Sequence, residues 1–221
     1  MPNASELIKN NLTEINIKIK AACEKAGRNP KEVKLVAVIK NQSNESIKAL
    51  YDLGVRSFGE NRLQELEAHQ NFLNVDDVEW NFIGQIQKNK LSKIISRSQV
   101  IQSVDSLKIL ETINKTDNPP KLYIQLAGSD DESRGGVSFT NALELVKHSK
   151  TLKTSFSGVM IVPPLDLDPI GFFDRAKNFA DENNLKEISM GMTNDFESAI
   201  EHGATTIRIG SAIFKGAIRA L

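Results

Sequence analysis

Residues 35–42 read Leu35-Val36-Ala37-Val38-Ile39-Lys40-Asn41-Gln42, an apolar run that stops abruptly at a lysine and two amides. The run is too short for a buried helix and is rich in β-branched residues, so it predicts a buried strand. Before it, residues 6–26 carry Leu7, Leu12, Ile15 and Ile19 on one stripe and close on Gly27 and Pro30, a helix with an ordinary stop. After it, residues 43–53 predict a helix with Ser43 as N-cap and Gly54 at its end. Residues 55–58 begin the next strand and residues 62–72 the next helix. The alternation then continues, with strands at 79–83, 100–103, 121–126, 155–160, 187–189 and 206–209. Helices are expected at 88–96, 106–115, 140–149, 169–182 and 194–201. Eight strands alternating with helices predict a parallel sheet with crossover helices, closed as a single-domain (β/α)8 TIM barrel over residues 1–221. The competing doubly wound sheet lacks its usual fingerprint, because Ile39-Lys40-Asn41-Gln42 stands where a glycine-rich phosphate loop would follow the first strand. The polar loops at 128–136 and 163–169 should both lie at the C-terminal face, where barrels place their chemistry.

Composition narrows the function. Lys plus Arg and Asp plus Glu are both 28, so no net field favours nucleic acid. One tryptophan, Trp80, and two tyrosines offer few stacking platforms for bases. The one cysteine, Cys23, excludes an intramolecular disulfide and is expected to be half-buried on the first helix. His69, His148 and His202 are too widely spaced for a metal signature. No stretch approaches the ~20 apolar residues that span a bilayer, and the N-terminus lacks the apolar core of a signal peptide. The expectation is a cytoplasmic monomer with no membrane, nucleic-acid or metal partner.

Lys40 is the first candidate for chemistry. Continuing the strand alternation would bury it at the barrel mouth, where desolvation lowers the pKa of an amine and makes it able to form an imine. A strand-end lysine reaching to water is the plainer alternative. A second group lies far along the chain, at Ser189-Met190-Gly191-Met192 and Arg208-Ile209-Gly210-Ser211. These end the seventh and eighth strands, the usual barrel position for a phosphate. Gly191 and Gly210 would let backbone approach a ligand, or simply make tight turns. Ser189 and Ser211 can donate hydroxyls, and Ser211 is expected to open a last helix whose amides face an anion. Arg208, inside an apolar strand, needs acceptors. Asn61 and Met160 also stand at strand ends. Glu60 can act as a base or pair with Arg62.

These segments together resemble the pyridoxal phosphate homeostasis protein family, single-domain relatives of the alanine racemase barrel. The resemblance is carried by Leu35 to Lys40, Phe58-Gly59-Glu60-Asn61, Phe82-Ile83-Gly84, Ser103-Val104-Asp105-Ser106, Gly158-Val159-Met160, Ser189-Met190-Gly191-Met192 and Arg208-Ile209-Gly210-Ser211, in family order over nearly the whole chain. It implies that pyridoxal 5'-phosphate (PLP, the active form of vitamin B6) is held as an imine, a Schiff base, on Lys40. It further implies that Asn61, Met160, Ser189, Gly191, Met192, Arg208, Gly210 and Ser211 bind the cofactor, and that the role is PLP and amino-acid homeostasis. Three positions depart from the pattern: Ile39 replaces a small polar residue, Asn41-Gln42 replaces a threonine-led pair, and Gln85 replaces a histidine.

An arginine at the pyridine nitrogen would keep that nitrogen unprotonated and the ring a poor electron sink. The racemising relatives also take a second acid/base group from a β-rich domain, which is not expected here. The sequence therefore favours a PLP carrier or regulator, with PLP-dependent apo-enzymes as partners, over catalytic turnover. A PLP-dependent racemase or lyase, and a PLP-independent barrel aldolase using Lys40, stay open at this point.

Overall fold

The computed structural model describes residues 3–128, 135–164 and 166–217. Of the two expected loops, residues 129–134 and Leu165 lie outside these. Eight strands pair in parallel in the order β1 to β8, and β1 pairs β8 to close the barrel. They are β1 Lys34–Val38, β2 Ser57–Glu60, β3 Glu79–Phe82, β4 Val100–Val104, β5 Lys121–Leu126, β6 Phe156–Ile161, β7 Glu187–Ser189 and β8 Thr206–Ile209. Between them run α2 Asn44–Asp52, α3 Leu63–Leu73, α4 Leu91–Arg97, α5 Leu107–Asn114, α6 Phe139–Ser149, α7 Ile170–Glu182 and α8 Phe196–Glu201, with α1 Ala4–Lys25 ahead of β1.

The eight expected strands and the helices expected between them form, and the differences in their bounds have local causes. The second strand starts two residues late because Val55 is used by the preceding helix. Its N–H reaches Leu50 O at 3.1 Å while Gly54, at φ +88, donates to Tyr51 O, which is the Schellman closure. On α1 the buried stripe runs through Ile8, not Leu7, and continues Leu12, Ile15, Ile19, Ala22 and Cys23. Cys23 is fully buried rather than half-buried.

The helix expected to open at Ser211 does not form. Residues 211–216 are turns. Asn11 on α1 donates to Ile213 O at 2.9 Å and Lys215 O at 3.0 Å, which ties this segment to α1. The long α1 packs between α8 and α2 and fills the place in the helix ring that an eighth following helix would take.

Apolar burial lies between strands and helices, where Phe58, Ile101, Leu110 and Phe173 are fully enclosed. The barrel interior is more polar than the branched aliphatic layers usual for this architecture. Asn81, Gln102, Ser189, Thr206 and Arg208 are all buried. Ion pairs Lys34–Glu79 at 2.9 Å and Lys121–Glu187 at 2.8 Å stand at the N-terminal end of the strands. No helix among the described residues is long and apolar enough to cross a membrane.

Candidate functional site

A cavity of about 690 Å³ opens at the C-terminal ends of the strands, within the size range of small-molecule sites. Lys40, Asn61, Met160, Met192, Arg208, Gly210 and Ser211 all line it, with Val38, Ile83 and Val162 supplying apolar wall. Strand closure brings residues from opposite ends of the chain together, since β1 and β8 are neighbours.

Lys40 is not buried at the mouth as the alternation suggested; it is exposed and lines the cavity from its rim. The strand ends at Val38, so alternation no longer governs position 40. Ile39 instead points into the apolar layer, fully buried. Residues 39–42 form a turn closed by Gln42 N to Ile39 O at 3.1 Å. Asn41 holds φ +58 in it, a left-handed slot that asparagine tolerates. Glu65 on α3 accepts from Asn41 N at 3.2 Å and pins the turn to the helix ring. Of the two placements the sequence left open for Lys40, the structure has the one that reaches to water.

Arg208 projects from β8 under the cavity and is buried. Its Nη1 donates to Ser189 Oγ at 2.6 Å and its Nη2 to Ile161 O at 2.9 Å. A guanidinium has five N–H donors, so these two acceptors leave it capacity toward a ligand. Burial lowers its pKa to about 10, opposed by the charge of Asp195. The group stays cationic at neutral pH.

Ser189 and Gly191 do not line the cavity. Ser189 is fully buried beneath Arg208. A Cβ on Gly191, at φ +92, would stand 2.6 Å from Ala199 Cβ and 2.9 Å from Phe196 Cα. The glycine therefore makes room for α8 to pack against the end of β7. A Cβ on Gly210 would meet Val38 O at 2.9 Å, so this residue lets β8 lie close on β1 at the cavity wall.

Sequence reasoning missed Thr193, Asn194 and Asp195, which also line the cavity. Thr193 Oγ1 lies 2.9 Å from Ser211 Oγ and accepts from Ala212 N at 3.3 Å, joining the loops after β7 and β8. Asp195 accepts from Met192 N at 2.6 Å. Their position between the seventh strand and its helix was the available signal. Asn61 Oδ1 is buried with no hydrogen-bond partner among the described residues, an acceptor set at the wall for a ligand or water. Gln85 is exposed and lines an adjoining cavity of about 310 Å³ that shares Asn61.

Glu60 is neither a base at the cavity nor a partner of Arg62, which pairs with Glu65 at 3.3 Å. Its carboxyl is fully buried behind β2, 3.2 Å from His69 Nδ1 on α3. Desolvation raises its pKa, and His69 offsets part of that rise. A folded-state pKa above the unfolded one means that the folded chain holds the proton more tightly. The associated stability is present at acid pH and declines as pH rises through the folded value. Glu60→Gln should flatten that decline in thermal melts taken across pH; a parallel pH dependence in the variant would assign it to other groups.

The described residues contain no cluster of three or more His, Cys, Asp or Glu placed to hold a metal. Residues 11–217 match the model of the alanine racemase N-terminal domain family. The pyridoxal phosphate homeostasis protein of Haemophilus influenzae is 35% identical over 224 residues, covering 94% of each chain. That of Aquifex aeolicus is 33% identical over 219 residues, 92% of this chain and 95% of its own. PipY of Synechococcus elongatus, solved with PLP bound, superposes with a TM-score of 0.78 at 30% identity, over 89% of this chain and 99% of PipY. The barrel, the ends of β1 and β8 meeting at one cavity, and these likenesses lead to one assignment: the chain belongs to the alanine racemase N-terminal domain family, among the pyridoxal phosphate homeostasis proteins.

Proposed function

We propose that this chain binds PLP in the cavity at the C-terminal face, linked covalently to the Lys40 amine, and serves PLP and amino-acid homeostasis as a carrier in the cytoplasm. The observation that carries the reading is that Lys40, Arg208 and the Gly210-Ser211 turn line one cavity of small-molecule size. The likeness to PipY, a protein solved with PLP bound, adds weight to it. PLP supplies an aldehyde that condenses with a primary amine with loss of water, a ring nitrogen that accepts a hydrogen bond, and a phosphate dianion.

The residues suit those three groups. Lys40 offers the amine from the rim. Arg208 offers a fixed cation and spare N–H donors to the ring nitrogen. The Thr193 and Ser211 hydroxyls, held together at the ends of β7 and β8, offer the phosphate side. Met160 and Ile83 offer apolar surface to the ring, and Asn61 a polar group at its edge. Ser189 supports Arg208 from below, and Gly191 allows α8 to pack. An exposed Lys40 leaves the amine open to exchange, which suits a monomer that hands PLP to apo-enzymes. Pyridoxal, which lacks the phosphate, tests this. It should bind roughly 100-fold more weakly than PLP, about 3 kcal/mol, in titrations followed by visible absorption. Equal affinity for the two, or no spectral change with either, would reject the reading.

A further inference from the structure

Beneath the cavity a chain of buried side chains crosses the barrel interior, and its hydrogen-bond polarity is fixed from one end. At the N-terminal end of β3, the Glu79 carboxylate accepts from Lys34 Nζ at 2.9 Å and from Ser57 Oγ at 3.1 Å. Asn81 Nδ2 faces only acceptors there, Ser57 Oγ at 3.0 Å, Glu79 O at 3.2 Å and Glu79 Oε1 at 3.3 Å. Its amide can therefore sit only one way, with Oδ1 turned toward β4. That oxygen accepts from Gln102 Nε2 at 2.9 Å. Gln102 must then present Oε1 to β7, where Ser189 Oγ donates to it at 2.6 Å. With its proton spent on Gln102, Ser189 offers lone pairs to Arg208, whose Nη1 donates to it at 2.6 Å. Gln102 and Ser189 are fully buried, so water cannot replace either contact.

We infer that Gln102 is a positioning residue for the cavity: it holds the Ser189 hydroxyl as an acceptor and thereby fixes Arg208 under the ring nitrogen of the ligand. The inference rests on the reading that the cavity takes PLP. Without Gln102, Ser189 has no acceptor for its proton, and the Ser189–Arg208 contact becomes one of several poses. The guanidinium then shares its donors among them, and the ring nitrogen gains access to protons from water.

Gln102→Met keeps the length and volume of the side chain and removes both amide contacts. Wild type is first loaded with PLP and reduced with borohydride; a PLP adduct on Lys40 establishes the binding reading independently of Gln102. Failure to form it removes that reading and this inference together. Given the adduct, Gln102→Met should bind PLP about tenfold more weakly. Its visible band should acquire a pH transition in the neutral range that wild type lacks. On a Ser189→Ala background the same substitution should change affinity by less than about twofold, because the residue acts through that hydroxyl. Should Gln102→Met fail to fold, Gln102→Asn, one methylene short of both partners, replaces it with the same expected direction. Wild-type affinity and band shape in the variant, or a tenfold loss that persists without the Ser189 hydroxyl, would overturn the inference.

Discussion

Lys40→Ala should abolish the imine absorption band of the PLP-loaded protein and weaken PLP binding by roughly 100-fold or more, about 3 kcal/mol. The side chain is exposed and belongs to a surface turn whose closing bond is backbone to backbone. Its removal should therefore leave stability within about 0.5 kcal/mol of wild type. The loss is thus assignable to the amine. Arg208, Asn61 and the β7–β8 loops remain, so residual binding of PLP as free aldehyde should persist and should still depend on the phosphate. Lys40→Arg sharpens the test, because it keeps the charge but cannot condense with an aldehyde. It should behave as Lys40→Ala in the spectrum. Titration followed by absorption and by gel filtration measures both effects.

Gly84→Ala should cost a large share of the stability through a single methyl. Gly84 lies just past β3 at the cavity, and an added Cβ would lie 2.0 Å from Asn61 O, 2.6 Å from Asn61 C and 2.7 Å from Asn61 Cα. All three atoms are backbone, so no rotamer change relieves the clash and the β2 end must move. Overpacking of this kind costs about 3 kcal/mol, at the upper end of its usual range. For a chain of this size that lowers Tm by roughly 6–12 °C. The displaced residue is Asn61, so PLP affinity should fall as well. Gly171→Ala is the control: nothing lies within 4 Å of a Cβ there, on α7. It should be neutral or stabilising by up to about 1 kcal/mol. Equal melting of the two variants would contradict the packing described here.

The barrel was legible because short strand runs alternate with amphipathic helical runs along the whole chain. Ser43 caps α2, as its sequence position suggested, by accepting from Ser46 N at 3.3 Å. The two halves of the site were legible because the chemistry-bearing residues follow β1, β7 and β8, and barrel closure makes β1 and β8 adjacent. The sequence left two placements of Lys40 open, and the exposed one holds, since alternation within β1 says nothing about a residue in the turn beyond it. The sequence left the role of Gly191 open, because glycine before a helix looks the same whether a ligand or the helix itself needs the space. The interior chain through Asn81, Gln102 and Ser189 escaped the sequence entirely. Gln102 and Ser189 stand 87 residues apart, and a polar residue in a strand reads as solvent-facing until the barrel closes over it. The absent final helix reflects α1, whose Asn11 takes up the carbonyls of residues 213 and 215 from the other end of the chain.

The account rests on one amine among many lysines reacting because of where the fold places it. Reduction of the PLP-loaded protein with borohydride, followed by peptide mapping, reads this directly. A single stoichiometric pyridoxyl adduct on Lys40 is the expected result; an adduct spread over surface lysines, or concentrated on a lysine outside the cavity, would contradict it.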